Sequence, residues 1–337
     1  MLLNLHTHLE GMVRPATARE LGASLGLPEP AGGWEAALQL PAPSDLTCYL
    51  AKVSATYPFF GDRACLTRIA REAVEDAAAD GQDYIELRFG PASHVGSSID
   101  LDEVIAAVCE GTAQGAAITG IGAGAIVCAL RLHDGETNEA VARAAARFAG
   151  RGIVGFDLAG DEILYPDLGV VAPAFGIARA AGLGLTCHAA EAGPASAAIE
   201  AANLLGVTRI GHGTHIAEDF GVLSEIAARG IVVEVCPTSN WYTGGIAGLH
   251  AHPARHFHAC GVPIVLGDDN PRQTGSSLSA ERHLLRDTLG FSAAALRALD
   301  QTSITAGFME PAVRERLSRQ LAGENHTAPG GLHEGLS

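Results

Sequence analysis

Basic residues are scarce in this chain. Of 337 residues, 22 are Lys or Arg and 38 are Asp or Glu, a net charge of −16. An acidic surface disfavours nucleic-acid backbones and anionic membranes as partners, while a pocket is free to differ. Cysteine occurs seven times but never as C-x-x-C. That spacing argues against a four-thiolate zinc site, and the odd number in a long chain argues against a disulfide framework. Reduced thiols in a cytoplasmic protein are the expectation. A secretory leader is not expected, because the N-terminus has no basic stretch and His6 and His8 interrupt its apolar run early. The longest uncharged run, Gly111 to Leu130, has membrane-spanning length. Its Gly, Thr and Gln content and its strand-like ending, AIVCAL, read as a soluble helix, turn and strand. No internal repeat is visible. No G-x-G-x-x-G follows the first strand, which weakens the case for an open, doubly wound dinucleotide fold.

What is present is a rhythm. Eight short apolar runs rich in β-branched residues begin near Leu2, Asp83, Gly122, Ile153, Leu183, Thr208, Ile231 and Pro263. Between them lie Ala-, Glu- and Arg-rich stretches with helical periodicity, such as Leu66 to Asp80 and Asn138 to Ala149. Strands alternating with helices read as parallel βα units. Eight of them predict an α/β fold, a (β/α)8 TIM barrel spanning residues 1–320. One interval is too long: roughly 75 residues separate His6 from Asp83, where a βαβ unit needs about 30 or more. An insertion over about 12–80 is therefore expected to form lid helices above the pocket. Residues 321–337 read as a flexible tail, with His326 and His333 as solvated bystanders.

Polar residues gather where strands end. The first strand ends in His6 and His8, whose i, i+2 spacing puts both imidazoles on one side of an extended chain. Later strand ends carry Asp157 to Glu162, His188 and Glu191, His212 and His215, and Asp268 with Asp269. In a parallel barrel all of these face one rim, where active sites form. Three imidazoles (His6, His8 and His188) and one carboxylate (Asp268) suit a single Zn2+, with iron or manganese as alternatives. Zinc lowers the pKa of a coordinated water to around 7 and so makes hydroxide available at neutral pH. Asp269 is placed to orient that hydroxide and Glu191 to hand over a proton as general acid. His212 can act as a base or stabilise charge developing on the new oxygen. These parts support hydrolysis at an electrophilic carbon.

With these motifs in order, the chain resembles the adenosine deaminase family of the amidohydrolase superfamily. The resemblance rests on HTHLEG, YLAKV, EDAAADGQDYIELRFGP, VCALR, FDLAGDE, HAAEAG, RIGHGTH, EVCPTSN and LGDDNP, spread from Leu2 to Arg319. It implies a barrel holding zinc through His6, His8, His188 and Asp268, with Glu191 protonating a purine ring nitrogen. His212 and Asp269 would activate the water. It places the backbone of Gly160 against the purine and lid positions at Leu46, Tyr49 and Leu50. Asp161 and Glu162 are expected to support their loop, and His215 to be structural. The segment Cys236 to Asn240 is expected to shape the rim without a chemical role.

Two departures bear on substrate. Adenosine deaminases proper usually carry Asp where Glu10 stands, and the longer side chain would crowd a ribose. The family's T-D-D-P appears here as Gly267-Asp268-Asp269-Asn270-Pro271, followed by Arg272, which can meet an anionic substituent or simply face solvent. The implied partner is a small aminopurine-like molecule (adenosine, adenine or a modified adenine nucleoside), with a non-purine amino-heterocycle as the alternative. A homo-oligomer is left open. A cytidine-type deaminase would need P-C-x-x-C, which is missing. A histidine-rich phosphoesterase fits the lone Glu191 and the Asp268-Asp269 pair poorly. A catalytically silent zinc barrel serving as a binding protein has no decayed ligand to support it.

Overall fold

The computed structural model describes residues 1–324. The expected tail, with His326 and His333, lies outside the described residues, except that 321–324 complete the helix Pro311–Glu324. Strands form in all eight of the apolar runs: β1 Leu3–His8, β2 Tyr84–Phe89, β3 Gly122–Leu130, β4 Ile153–Ala159, β5 Gly184–Ala189, β6 Arg209–His212, β7 Val232–Val235 and β8 Ile264–Leu266. They pair in chain order, each parallel to the next. The backbone just beyond β8 returns to β1: His8 N–H donates to the Asp269 carbonyl at 2.7 Å and Asp269 N–H to the His6 carbonyl at 2.9 Å. This brings the ring of eight strands round to its start.

Parallel strands wrapped by helices are buried on both faces, so their sequences run apolar without alternation. The exceptions are informative. Glu86, Arg88, Asp157, Arg209 and Glu234 are all buried inside the barrel. Arg88 donates to Asp157 and to Glu234, each at 2.9 Å, and Arg209 to Glu234 at 2.6 Å and to Glu86 at 2.7 Å. Every charge thus has partners, the condition under which buried ions are tolerated. Below them Phe308 plugs the far end, with the Arg209 guanidinium 3.8 Å over its ring. Gly184 is required there, since a Cβ would collide with that ring.

Between β1 and β2 lie four helices: α1 Pro15–Ser24, α2 Gly33–Leu38, α3 Leu46–Ser54 and α4 Arg63–Ala79. The insertion is narrower than the expected 12–80, because α4 is the ordinary crossover helix, buried through Leu66, Ile69, Ala70, Ala73 and Val74. The surplus is α1 to α3 and the Tyr57–Phe60 turn. Asp45 caps α3 by accepting from Cys48 N–H at 2.7 Å, and Asp62 caps α4 by accepting from Cys65 N–H at 2.8 Å. Leu46, Tyr49, Leu50 and Val53 of α3 line the cavity at the mouth of the barrel.

Candidate active site

The C-terminal ends of β1, β5, β6 and β8 converge beneath α3. Among the described residues, three non-glycine residues have positive φ, namely Ala190 at 54°, His212 at 63° and Asp269 at 58°. All three stand at this rim, and strained backbone of this kind costs about 1–3 kcal/mol apiece and clusters at functional sites.

His6, His8, His188 and Asp269 each offer one ligand atom, and these atoms lie within 4.8 Å of one another. His8 Nε2 is 3.2 Å from His188 Nε2, while Asp269 Oδ1 is 3.4 Å from His8 Nε2 and 3.6 Å from His6 Nε2. Ligand atoms of a tetrahedral zinc ion at about 2.0–2.1 Å would sit about 3.3 Å apart. His6 Nε2 is buried without a hydrogen-bond partner. The donor set therefore fits a metal ion. A second grouping, His6 with His212 and Cys236, borrows His6 and relies on a thiol that burial pushes well up, which makes it a poor rival.

The expected carboxylate ligand is corrected here. Asp268 turns away and accepts from Asn4 Nδ2 at 2.9 Å. Its burial raises its pKa to about 6. Asp269 takes the place among the imidazoles because its left-handed backbone swings the side chain inward. Its role as an orienter standing apart from the ligands falls with the same observation. Asp269 Oδ2 accepts from Tyr49 Oη at 2.8 Å and from Ser239 Oγ at 2.5 Å, and Asn270 Nδ2 donates to Oδ1 at 2.8 Å.

The ring orientations have causes in the barrel core. His6 Nδ1 is 2.7 Å from Glu234 Oε2, and His188 Nδ1 is 3.1 Å from Asp157 Oδ2. A carboxylate behind each ring turns Nε2 toward the cavity. Burial and Arg88 pull the pKa of His6 down, but the carboxylates of Asp269 and Glu234 beside the ring outweigh them and raise it. Burial lowers His8 to about 3, leaving a neutral lone pair.

The cavity is lined by most of the residues singled out from sequence: Glu10, Leu46, Tyr49, Leu50, Gly160, Glu191 and His212, beside His8, His188, Asp269 and Asn270. Burial, then the charge of Asp269, raises the pKa of Glu191 well above the carboxylate range. Glu162 holds the loop bearing it, accepting from the backbone amides of Ala190 at 3.0 Å and Gly193 at 2.7 Å. Glu191 Oε2 lies 3.7 Å from His212 Nε2. Glu10 Oε1 accepts from Gly90 N–H at 3.0 Å and pairs with His94 Nε2 at 2.9 Å. Its Oε2 is buried without a partner. Burial opposes ionisation of Glu10, yet the hydrogen bond and charge of His94 win and its pKa falls. Asp161 reaches the lid, accepting from Thr47 Oγ1 at 3.3 Å. Arg272 is absent from the cavity and pairs instead with Asp76.

Glu234 and Arg88 have no role in the sequence reading, Ser239 and Asn240 are placed at the rim without a chemical one, and Asn270 enters only as part of the altered rim motif. The charged residues within otherwise apolar strands, Glu86 and Arg88 in YIELRF and Glu234 in VVEV, were a signal that could have been used.

The adenosine deaminase family model matches residues 2–323. An adenosine deaminase of Clostridium botulinum is 30% identical over 320 residues, covering 94% of this chain and 95% of that one. The adenine deaminase of Arthrobacter aurescens superposes with a TM-score of 0.87 at 25% identity, covering 97% of this chain and 99% of its own. The N6-methyl-AMP deaminase of Arabidopsis thaliana gives 0.83 at 25% identity, with 97% of each chain covered. Among the described residues, no helix is long and apolar enough to cross a membrane.

Proposed function

Since the chain belongs to the adenosine deaminase family and is a hydrolase acting on C–N bonds, we propose that it uses water to displace the exocyclic amine of an unphosphorylated aminopurine. His6, His8, His188 and Asp269 would hold one zinc ion, a donor set suited to that metal. Bound there, the ion would supply Lewis acidity and a water molecule whose pKa falls to around 7.

The remaining work belongs to side chains. Glu191, whose pKa burial raises well above the carboxylate range, donates its proton to a ring nitrogen and relieves the charge that builds there as the carbon is attacked. His212 faces the same space and stabilises charge on the incoming oxygen. Gly160, with φ of 109° and no side chain, lets the ring approach the backbone. Asn270 presents a buried, unpartnered Oδ1 at the cavity wall and is suited to hydrogen-bond the heterocycle edge. Leu46, Tyr49 and Leu50 on α3 cover the ring and exclude water.

The unphosphorylated class follows from charge. Among the described residues no Lys or Arg lines the cavity, whereas Glu10, Asp161, Glu191 and Asp269 do. A phosphate placed beside Glu10 and Asp161, with no basic side chain in the lining to neutralise it, is disfavoured. Glu10, buried in the cavity wall with one free acceptor, favours a base edge or a neutral substituent carrying N–H or O–H donors.

The observation that carries this reading is four donors gathered within 4.8 Å of one another in a cavity that also holds Glu191, a carboxyl whose pKa burial raises. The test is ammonia release by zinc-loaded enzyme from adenine, adenosine, N6-methyladenine, AMP and N6-methyl-AMP. Turnover of a base or nucleoside, with the nucleotides at least about 10²-fold poorer in kcat/KM, is expected. No release from any of them sinks the deaminase reading, and nucleotide preference sinks the charge argument.

A further inference from the structure

The short helix Pro237–Tyr242 after β7 presents Asn240, which is fully buried and belongs to no donor cluster. Its side chain joins His212 to a second buried histidine, His252. The direction of each hydrogen bond in that chain can be fixed, because one end is a backbone amide.

Ala254 N–H lies 3.1 Å from His252 Nδ1. A backbone N–H can only donate, so Nδ1 of His252 must be the unprotonated nitrogen, and in a neutral ring Nε2 carries the hydrogen. The ring is neutral: it is 3% exposed, and burial lowers its pKa to about 3. His252 Nε2–H therefore donates to Asn240 Oδ1 at 3.1 Å. With its oxygen so committed, the amide turns Nδ2 toward His212 and donates to His212 Nδ1 at 3.0 Å. The flipped amide would set two donors against each other, either at His252 Nε2 or, with that ring's tautomer reversed, at the Ala254 amide. Protonation of His212 Nδ1 would likewise oppose two N–H groups.

We infer that Ala254, His252 and Asn240 form a polarity relay that locks His212 as the Nε2–H tautomer, so that His212 acts in the cavity as a hydrogen-bond donor and not as a base. His252 and Asn240 are positioning residues in this scheme. The lock rests on geometry alone, whereas its consequence for turnover rests on the deaminase reading above. A donor at Nε2 favours oxygen that is gaining negative charge, and a base at the same nitrogen would do the opposite. The choice between base and charge stabiliser, open from sequence, is thereby decided by a residue 40 positions further along the chain, at His252.

The experiment is long-range 1H–15N correlation on zinc-loaded protein with 15N-labelled histidine, His212 being assigned by its loss in a His212→Gln sample. Nδ1 is expected at the shift of an unprotonated ring nitrogen and Nε2 at that of a protonated one. The reversed pattern, or two protonated nitrogens, overturns the proposal, and the tautomer itself is read on the wild-type protein. Asn240→Asp supplies the second arm. Its carboxylate offers only acceptors, so His212 should flip to Nδ1–H and kcat should fall about 10²-fold with little change in KM. A flipped His212 with undiminished kcat overturns the donor role. The expected tautomer in a wild-type protein that deaminates no aminopurine upholds the lock and sinks only the deaminase reading.

Discussion

Asp268 and Asp269 are chemically identical neighbours with opposite placements. Asp269, with φ of 58°, points into the imidazole cluster, and Asp268 points at Asn4. Asp269→Asn is therefore expected to lower metal affinity by at least about 10²-fold, while Asp268→Asn keeps stoichiometric metal. Metal content after dialysis against a chelator decides it, and the reverse pattern would return the ligand to Asp268. Glu191 is a separate matter, because it binds no metal in this scheme. Burial, then the charge of Asp269, raises its pKa well above the carboxylate range, and raising the pH through that elevated pKa removes the donor, so kcat should fall on the alkaline side. Glu191→Gln should retain the ion and lose roughly 10²–10⁴-fold in kcat. Retention of full activity would take the acid role away from Glu191.

Among the elements, the helix Pro237–Tyr242 matters most for its size, since Ser239 touches Asp269 and Asn240 touches His212. Glu281 anchors its first turn, accepting from Thr238 N–H at 3.1 Å and from the Ser276 hydroxyl. Burial raises the pKa of Glu281 to about 7. The folded protein thus binds this proton more tightly than the unfolded chain does. The stability it contributes is full below about pH 4.5, declines as pH rises through about 7, and is absent above that. Glu281→Gln removes the penalty of ionising a buried acid. The stability of the variant relative to wild type should climb by up to about 3 kcal/mol between pH 5 and pH 8 in denaturant titrations. A difference that stays constant with pH would show that Glu281 is ionised throughout. The strands around this helix were legible because each parallel strand is a continuous apolar run, and the extra helices before β2 because of the long interval before Asp83. His6, His8, His188, Glu191 and His212 were legible because strand ends supply the rim. What could not be read was set by single dihedral angles and partners distant in the chain. The turn at Asp269 moves the ligand by one residue without any change in composition. Ser239 and Asn240 sit on a helix of six residues, too short to show a period. The lid position Tyr49 reads as apolar until its hydroxyl is found on Asp269.

At the scale of the whole barrel, the metal cluster sits on a seam. β8 has three residues, and beyond it the link to β1 runs through the His6, His8 and Asp269 backbones. The same three side chains are donors, and His188 brings in β5 from across the barrel. Glu234 and Asp157 tie His6 and His188 to the buried arginine network beneath. A bound ion therefore links β1, β5 and the β8 end, and the unfolded chain cannot assemble that site. Ligand held at about 1,000 times its Kd stabilises the folded state by about 4 kcal/mol. For a chain of 337 residues that corresponds to roughly 6 °C in Tm. Calorimetry with zinc and then with excess chelator should show a drop of this order. Amide exchange should quicken at Leu3–His8 and 267–269 when the ion is removed, with the helices far from the seam unchanged. Asp269→Asn at the same zinc concentration should show a much smaller response, which separates loss of the ion from any effect of chelator on the fold. An unchanged Tm and unchanged exchange in wild type would mean that the seam is held by its two backbone hydrogen bonds and packing alone. The four donors would then be a site for chemistry with no part in stability.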